Sequence, residues 1–283
     1  MALVLKTLNN PFFVDMVKGA EEAAQKLGVQ LIVQAPEREI DVEKQLQIIE
    51  NLIQSHVQAI CVTPSGSREV IPAIAKANAA GIPVLVVDSR IDAKAAAEAG
   101  VRTETFVGSD NYEGGRLAGK FVTEQSGGKA RVAILEGVPG HETGDSRLRG
   151  FRDAVSGTPG IEIVASQTAN FERDQGFNVF QNLLQAHPEV NALFACNDMM
   201  ALGAIEAIAA AGRDKEILVV GFDAVEDARR AIDSGAMAAS VAQFPDEMGR
   251  VAVQSALRVI NGEKLPETIP VKIALVTKAA AVP

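Results

Sequence analysis

The stretch ALFACNDMMALGAIEAIAAAG, residues 192–212, decides the fold because it places a strand, a turn and a helix in direct succession. The apolar run at its start predicts a buried strand. Asn197 and Asp198 follow that run and are residue types that cap the first turn of a helix. The helical pattern then ends at Gly212, a residue type that commonly closes helices. The stretch therefore predicts one strand–helix unit of a parallel sheet.

Units of this kind recur along the whole chain. The predicted strands are Ala2–Lys6, Val29–Val33, Ala59–Val62, Pro83–Val87, Thr105–Val107, Arg131–Leu135, Ile161–Ala165, Ala192–Ala195, Ile217–Phe222, Ala238–Ala242 and Val271–Val276. Most of them are continuous apolar runs, which is typical of strands covered on both faces of a parallel sheet. Their alternation with helical patterns predicts an α/β fold of two similar lobes, each a parallel-rich sheet flanked by helices.

The chain has too many such units for one small sheet, and its 283 residues suggest two domains. The predicted lobes are 1–104 plus 244–270, and 105–243 plus 271–283. Three segments are expected to cross between the lobes and to form a hinge: Ile91–Arg102, Gln243–Pro245 and Asn261–Glu267. The strands PVLVVDS (83–89) and ILVVGFD (217–223) resemble each other and hint at duplication.

Charge, cysteine spacing and the first residues of the chain each limit the possible functions. The 27 basic and 36 acidic residues give a net charge of −9, which disfavours nucleic-acid binding because phosphates require a basic surface. Cys61 and Cys196 lie far apart without metal-ligand spacing, and the sequence leaves open whether they are free. The beginning MALVLKTLNN lacks the features of a signal peptide, so we expect either a cytoplasmic protein or an exported one without its signal peptide.

Two motifs resemble catalytic or cofactor sites incompletely. Gly114 and Gly119-Lys120 approach the phosphate-binding P-loop, but Phe121 replaces the Ser or Thr, and a helical pattern surrounds the glycines. Small residues for helix–sheet packing explain them better. His141-Glu142 with Asp145 lacks the second histidine of a zinc motif. We therefore expect no catalytic residues, no metal and no cofactor.

Polar residues follow the carboxyl ends of several predicted strands, where open α/β sheets bind ligands. They are Asn9 and Asn10 after the first strand, Asp88 to Arg90 after the fourth, Asn197 and Asp198 after LFAC, and Asp223 after LVVGF. Helix capping or loop solvation is the alternative for each residue alone. Asp110 and Asp198 fit capping well and are assigned to it.

Five segments carry a resemblance to a known family: TLNNPFF (7–13), VVDS (86–89), FACNDMMALGA (194–204), VVGFDAVED (219–227) and VAQFPDEMG (241–249). In these segments the chain closely resembles ribose-type periplasmic sugar-binding proteins, the substrate-binding components of bacterial ABC importers. The resemblance is collinear over nearly the whole chain. It implies a type I periplasmic-binding fold, a ligand between two lobes that close by hinge bending, and docking on a membrane permease. It also implies a monomer outside the cytoplasm and no catalysed reaction.

The resemblance assigns roles to matching residues. Phe12 and Phe13 would stack on one face of the sugar and Phe171 on the other. The residues that would hydrogen-bond the hydroxyl groups are Asn10, Asp88, Asn197, Asp223 and Gln243. These roles suit a sugar, because its apolar faces match aromatic rings and carboxylates accept strong hydrogen bonds from hydroxyls. Helix–sheet packing is the alternative role for Phe12 and Phe13.

Two departures from the family pattern leave the sugar open. Ser89 stands where ribose binders carry an arginine, and Arg90 follows it; Asp145 aligns with a second sugar-contacting arginine. Arg147 or Arg149 could compensate if the loop shifts. We hypothesise that Asp88, Asp145 and Asp223 form a carboxylate-rich cleft that repels sugar phosphates and sugar acids. The expected ligand is therefore a neutral pentose, hexose, deoxysugar or polyol.

Two other functions stay open at the level of sequence. The same fold forms the effector-binding core of LacI-type repressors, although the first predicted strand begins at about Ala2 and leaves no room for a DNA-binding segment. An enzyme is the third alternative. The upstream coding sequence would distinguish transport from repression, and turnover of a sugar would establish an enzyme.

Overall fold

The computed structural model describes residues 1–278 and divides the chain into two compact units. The first unit comprises residues 1–109 and 244–271, and the second comprises 110–243 with the described part of 272–283. The expected boundary between 243 and 244 coincides with the observed one. The other two observed boundaries lie later in the chain than expected. Residues 279–283 of the second predicted lobe lie outside the described residues.

Strands and helices alternate from β1 to β11, and β12 follows β11 without a helix between them. The elements up to residue 109 are β1 (Ala2–Val4), α1 (Pro11–Leu27), β2 (Ile32–Gln34), α2 (Val42–Gln54), β3 (Ile60–Val62), α3 (Ile71–Ala79), β4 (Val84–Val87), α4 (Ala93–Glu98) and β5 (Phe106–Gly108). Those from 110 to 243 are α5 (Asn111–Gln125), β6 (Ala130–Glu136), α6 (Glu142–Val155), β7 (Ile161–Thr168), α7 (Arg173–Ala186), β8 (Ala192–Ala195), α8 (Asp198–Ala210), β9 (Leu218–Asp223), α9 (Glu226–Ser234) and β10 (Ala239–Ala242). The last are α10 (Pro245–Ile260), β11 (Thr268–Pro270) and β12 (Ala274–Thr277).

Each unit is built on a six-stranded sheet, and the two sheets share one strand order. The first runs β11-β5-β4-β3-β1-β2 and the second β12-β10-β9-β8-β6-β7. The neighbours are parallel except for β10 and β12, which are antiparallel. β4 and β9 occupy equivalent positions, so the similar strands PVLVVDS and ILVVGFD belong to a duplicated topology.

The strand predicted at Thr105–Val107 was expected to open the second sheet, and this was wrong. β5 instead pairs with β4, with Val86 opposite Phe106, and with β11 on its other side. Its side chains complete the first core, because Phe106 and Val107 are buried. The expected crossing at Ile91–Arg102 contains α4, which Asp92 caps by accepting from the Ala95 amide at 2.8 Å.

The end of the chain also differs from the expectation. The single strand predicted over Val271–Val276 is replaced by β11 in the first sheet and β12 in the second. The crossing lies between them, because β11 pairs with β5 through Pro270 and the Val271 amide still donates to the Gly108 carbonyl. The predicted crossing at Asn261–Glu267 lies within the first unit.

The helix-terminal signals of the sequence are confirmed at several positions. The Asn10 side chain caps α1 by accepting from the Phe12 amide, and Gly28 ends that helix in the left-handed conformation with φ of 67°. Asp110 caps α5 through the Glu113 amide at 2.9 Å. Gly212 follows α8 with φ of 69°. Among residues 1–278, no helix has both the length and the apolarity needed to cross a membrane.

Three helix pairs pack backbone against backbone at reciprocal glycines. The pairs are Gly19 and Gly249 for α1–α10, Gly115 and Gly150 for α5–α6, and Gly176 and Gly203 for α7–α8. A Cβ atom on Gly249 would lie 2.0 Å from the Met16 carbonyl oxygen. The near-miss P-loop glycines lie inside α5, as expected, and Gly119 faces the Phe151 carbonyl of α6.

Candidate functional site

Asp88 lies directly after β4 in the first unit and is almost fully buried. Its Oδ2 atom accepts from the Ser89 hydroxyl at 2.8 Å and lies 3.7 Å from the Lys6 Nζ atom, which is also buried. Asp88 Oδ1 has no hydrogen-bond partner among residues 1–278. The carboxylate is therefore charge-compensated on one oxygen and offers an acceptor on the other.

The sequence pattern does not single out Lys6, because the residue reads as the end of the first predicted strand. A lysine that closes the apolar run ALVL is nevertheless a signal, since lysine is almost never fully buried unless it is paired. Its ammonium also lies 5.8 Å from the centroid of the Phe13 ring. Lys6 therefore contacts two of the predicted site residues.

Asn10, Phe12 and Phe13 form the beginning of α1 and are all buried. The Asn10 side chain is fixed at both ends, because Oδ1 caps the helix and Nδ2 donates to Glu39 Oε1 at 3.1 Å. The Phe12 and Phe13 rings meet edge to face with centroids 5.2 Å apart. The structure thus places these three side chains together beside Lys6, and their contact with a sugar stays a prediction.

Arg90 is not brought to Asp88. Its guanidinium stacks on the Phe106 ring at 3.8 Å, and Nη2 lies 3.4 Å from the Thr268 hydroxyl. The intervening Ser89 turns the chain tightly, because its amide donates to the Val87 carbonyl. Arg90 therefore extends over β5 and β11, and its part in ligand binding stays a prediction.

Asp223 ends β9 and corresponds in position to Asp88 of the first unit. Its Oδ1 atom accepts from Gln243 Nε2 at 2.8 Å and lies 3.5 Å from Arg147 Nη1. All three side chains are buried. Gln243 Oε1 has no hydrogen-bond partner among residues 1–278. The cluster of Arg147, Asp223 and Gln243 thus resembles the surroundings of Asp88. In both places a carboxylate is paired with a cation, and one buried oxygen, Asp88 Oδ1 or Gln243 Oε1, can still accept a hydrogen bond.

Arg147 is held in place by several partners. Its Nε donates to Asn111 Oδ1 at 2.8 Å, and Nη1 donates to the Cys196 carbonyl at 2.7 Å. The guanidinium also stacks on the Phe222 ring at 3.8 Å. Arg147 comes from α6, at the position in the second unit that corresponds to α1. In each unit of the chain, a buried cation that follows the first strand thus pairs with the carboxylate at the end of the fourth strand. The pairs are Lys6–Asp88 and Arg147–Asp223.

Asp145 and Arg149 are exposed and do not join this cluster. Arg149 Nη2 donates to the Ser146 hydroxyl at 3.2 Å on the surface of α6. Although the Asp145 side chain is exposed, partial desolvation raises its pKa, and the charges of Glu136 and Glu142 raise it further. Of the three predicted carboxylates, Asp88 and Asp223 are buried and Asp145 is exposed, and Arg147, not Arg149, is the buried arginine. The carboxylate-rich cleft stays a prediction.

Phe171 lies in the loop after β7, with a left-handed φ of 63° and a buried side chain. Its ring fills the place of a side chain at Gly137, where a Cβ atom would lie 2.0 Å from Phe171 Cζ. Asn197 holds the loop, because Nδ2 donates to the Phe171 carbonyl at 3.0 Å. Asn197 also caps α8 by accepting from the Met200 amide at 2.9 Å.

Asp198 does not cap α8, contrary to the sequence assignment, because Asn197 occupies that role. Its Oδ2 atom accepts from the Val225 amide at 2.9 Å, and Oδ1 accepts from the Ser240 hydroxyl at 2.7 Å. Burial raises the pKa of Asp198, and the negative charge of Asp223 raises it further. Sequence could not reveal this role, since it joins residues far apart along the chain.

Non-glycine residues with left-handed backbone conformations concentrate at these strand ends. Asp88 has φ of 63°, Asp223 has φ of 112° and Ala224 has φ of 52°. Such conformations cost free energy and persist where surrounding contacts fix them, often at functional sites. Two of these strained residues, Asp88 and Asp223, are also the carboxylate members of the buried ion pairs.

Comparison with known proteins places the chain in a family. The model of the periplasmic binding protein domain family matches residues 1–264. The chain belongs to this family. It is 40% identical to the ribose import binding protein RbsB of Bacillus subtilis (strain 168), over 98% of this chain and 87% of RbsB. It is 37% identical to the D-allose-binding periplasmic protein of Escherichia coli (strain K12), over 95% and 86% of the two chains.

Solved structures of periplasmic binding proteins share the fold over the full length. A solute-binding protein from Actinobacillus succinogenes 130z, crystallised with D-allose, matches with a TM-score of 0.94 and 42% identity, covering 99% of this chain and 97% of that one. One from Bacillus halodurans C-125, with bound myo-inositol, matches with a TM-score of 0.90 and 29% identity, covering 98% and 94%. The predicted type I periplasmic-binding fold is thereby confirmed.

Proposed function

We propose that this periplasmic binding protein binds a neutral monosaccharide or polyol and delivers it to the membrane permease of an ABC importer. The named relatives are import or periplasmic binding proteins, which favours transport over a transcription repressor. The expected location is outside the cytoplasmic membrane. The net charge of −9 agrees with a function that does not involve nucleic acid.

The ligand is bound by the carboxylate clusters of both units. In the first unit we assign Lys6, Asn10, Phe12, Phe13, Asp88 and Ser89 to the site. In the second unit we assign Arg147, Phe171, Asn197, Asp223 and Gln243. Three residues are left out of this proposal: Arg90 packs on Phe106, Arg149 donates to Ser146, and Asp145 is exposed.

One observation supports a polyhydroxylated ligand above all. Asp88 Oδ1 and Gln243 Oε1 are buried acceptors without a donor among the described residues. A buried acceptor left unsatisfied costs about 1–3 kcal/mol, so both atoms favour a ligand that brings hydrogen-bond donors. Sugar hydroxyl groups are such donors, and they can accept from Arg147 or Lys6 at the same time.

The same atoms favour a neutral ligand. A phosphate dianion offers acceptors only, and it would place its charge near Asp88 and Asp223, whose own cations are already engaged. The proposed site also lacks an activated nucleophile in the described part of the chain. Burial raises the pKa of both Cys61 and Cys196 to about 12, which keeps the thiols protonated. We therefore propose binding without turnover. The family resemblance further supports a monomer.

A ligand screen tests this function. Melting temperatures are measured with D-allose, D-ribose, myo-inositol and ribose 5-phosphate, followed by calorimetric titration of each compound that stabilises the protein. A ligand at about 100 times its Kd adds about 2.7 kcal/mol, which should raise the melting temperature by several degrees. We expect at least one neutral compound to do so. Tighter binding of the phosphorylated sugar than of every neutral one would contradict the proposal.

A further inference from the structure

We propose that Asp198 is a positioning residue, which holds Asp223 in the orientation that binds the sugar. This inference rests on the proposed function, because it assigns a role toward Asp223 as a ligand-binding residue. Asp198 is completely buried at the start of α8, yet the helix cap belongs to its neighbour Asn197. Its carboxylate therefore accepts no helix-capping hydrogen bond and can instead accept hydrogen bonds around the turn that follows β9.

The carboxylate of Asp198 acts on the two residues that follow Asp223. Its Oδ2 accepts from the Val225 amide at 2.9 Å, and its Oδ1 accepts from the Ser240 hydroxyl at 2.7 Å. The Ser240 oxygen in turn accepts from the Ala224 amide at 3.0 Å. Asp198 and Ser240 thus satisfy both backbone donors of the turn. We call these four residues the Asp198 network.

The turn needs such support because its backbone is strained. Asp223 and Ala224 have φ of 112° and 52°, conformations that non-glycine residues adopt at a cost in free energy. Without the two acceptors, the amides of Ala224 and Val225 would turn toward other partners, and Asp223 would rotate with them. The network therefore fixes the direction in which the Asp223 carboxylate points.

Strand β9 leaves space for the Asp198 carboxylate at Gly221. Gly221 lies inside β9, where glycine weakens a strand and often marks a close approach by another group. A Cβ atom on Gly221 would lie 2.1 Å from Asp198 Oδ1. The glycine of the VVGFD segment is thus explained by the carboxylate beside it. This observation is independent of the hydrogen bonds and agrees with a fixed position for Asp198.

Asn197 and Asp198, at the beginning of α8, hold two different turns. Asn197 holds the strained Phe171 turn through the Phe171 carbonyl, and Asp198 holds the strained Asp223 turn. Both turns carry residues assigned to the proposed site. Hydrogen bonds that fix such residues before binding reduce the entropy lost when the ligand is bound. The beginning of α8 therefore preorganises the second unit's share of the site.

A double-mutant cycle tests whether Asp198 acts through Asp223. Asp198→Ala and Ser240→Ala are each made in the wild type and in the Asp223→Asn variant, and Kd for D-allose is measured by calorimetry. We expect each to raise Kd about tenfold in the wild type and less than twofold in the Asp223→Asn background. Equal factors in both backgrounds, or no change in the wild type, would overturn the proposal. Ser240→Ala removes one hydroxyl only and serves if Asp198→Ala does not fold.

Amide hydrogen exchange provides a readout that needs no sugar. We expect the Ala224 and Val225 amides to exchange faster in Ser240→Ala and Asp198→Ala than in the wild type. Asp110→Ala is the matched control, because it removes a helix cap of the same unit outside the Asp198 network. Unchanged exchange at both amides would overturn the positioning role. If the wild type binds no sugar while exchange responds as expected, the proposed function fails and the structural role stands.

Discussion

At the scale of single residues, each unit compensates one strand-end carboxylate with one buried cation. The sequence indicated Asp88 and Asp223 because polar residues that end apolar strands are visible as a pattern. It did not indicate Lys6 or Arg147 as their partners, since the pairs Lys6–Asp88 and Arg147–Asp223 join residues far apart in the chain. Side-chain direction depends on such tertiary contacts, so the sequence alone could not show that Arg147 is buried and Arg149 exposed.

The Lys6–Asp88 pair should contribute to stability as well as to binding. Removing one partner of a buried ion pair typically costs about 3–5 kcal/mol, because the other charge is left in a poorly solvated place. We expect Asp88→Ala to lower the free energy of unfolding by about 3 kcal/mol in urea denaturation and to weaken sugar binding by about 1–3 kcal/mol. Glu50→Ala, which breaks the exposed pair with Lys76, should cost less than about 1 kcal/mol. Equal losses in the two variants would contradict this account.

The titration of Asp198 should appear in the pH dependence of stability. Its pKa in the folded protein is raised above the ordinary 3.8, so the folded state keeps a proton that the unfolded state has released. This contribution is fully present below the unfolded value and is lost as the pH rises through the folded value. We expect the stability advantage of the wild type over Asp198→Asn to shrink from about pH 4 upward. An advantage that grows with rising pH in urea denaturation would contradict the raised pKa.

The two cysteines should be chemically inert in the folded protein. Both are free and at most 1% exposed, and burial raises the pKa of each thiol to about 12. Because the thiolate is the reactive species, a thiol reagent at neutral pH should modify neither residue in the native state. The urea-unfolded protein, as the control, should react at both cysteines. Rapid modification of either cysteine in the native protein would contradict the observed burial.

At the scale of elements, the helices are placed by close glycine contacts that the sequence only partly revealed. Within α5, Gly114 packs on the sheet residues Phe222 and Val241, as the sequence predicts, whereas Gly119 packs on α6, which the sequence does not indicate. The reciprocal glycine contact of α5 with α6 could not be found by spacing, and the same holds for α1, which pairs with α10 from the other end of the first unit. The position of β5 was missed for a related reason: its partner β11 lies late in the chain.

The α1–α10 contact gives a direct test of this packing. Gly249→Ala places a Cβ atom 2.0 Å from the Met16 carbonyl oxygen, and no side-chain rotation can relieve a clash with backbone. Overpacking of this kind costs about 1–3 kcal/mol. We expect a melting temperature lower by several degrees. Gly157→Ala is the matched control, because no described heavy atom lies within 4 Å of its Cβ position. Equal melting temperatures for the two variants would contradict the close packing.

At the scale of the whole molecule, the chain repeats one topology and places one carboxylate cluster in each copy. The fold class and the two-unit organisation could be predicted, because buried parallel strands and their helices leave a strong periodic signal. The equivalence of β4 and β9 was visible only as a short similarity that ends in aspartate. In the proposed site, each of these two aspartates is paired with a buried cation.

The central claim is that the clusters of both units bind the same sugar molecule. Calorimetric titration of D-allose into the wild type, Asp88→Ala and Asp223→Ala tests it most directly, with Glu50→Ala as a surface control. We predict one sugar per chain, and an affinity loss of about 1–3 kcal/mol, which is at least about fivefold in Kd, in each of the two aspartate variants. Two sugars per chain, or full affinity after removal of either aspartate, would contradict the claim.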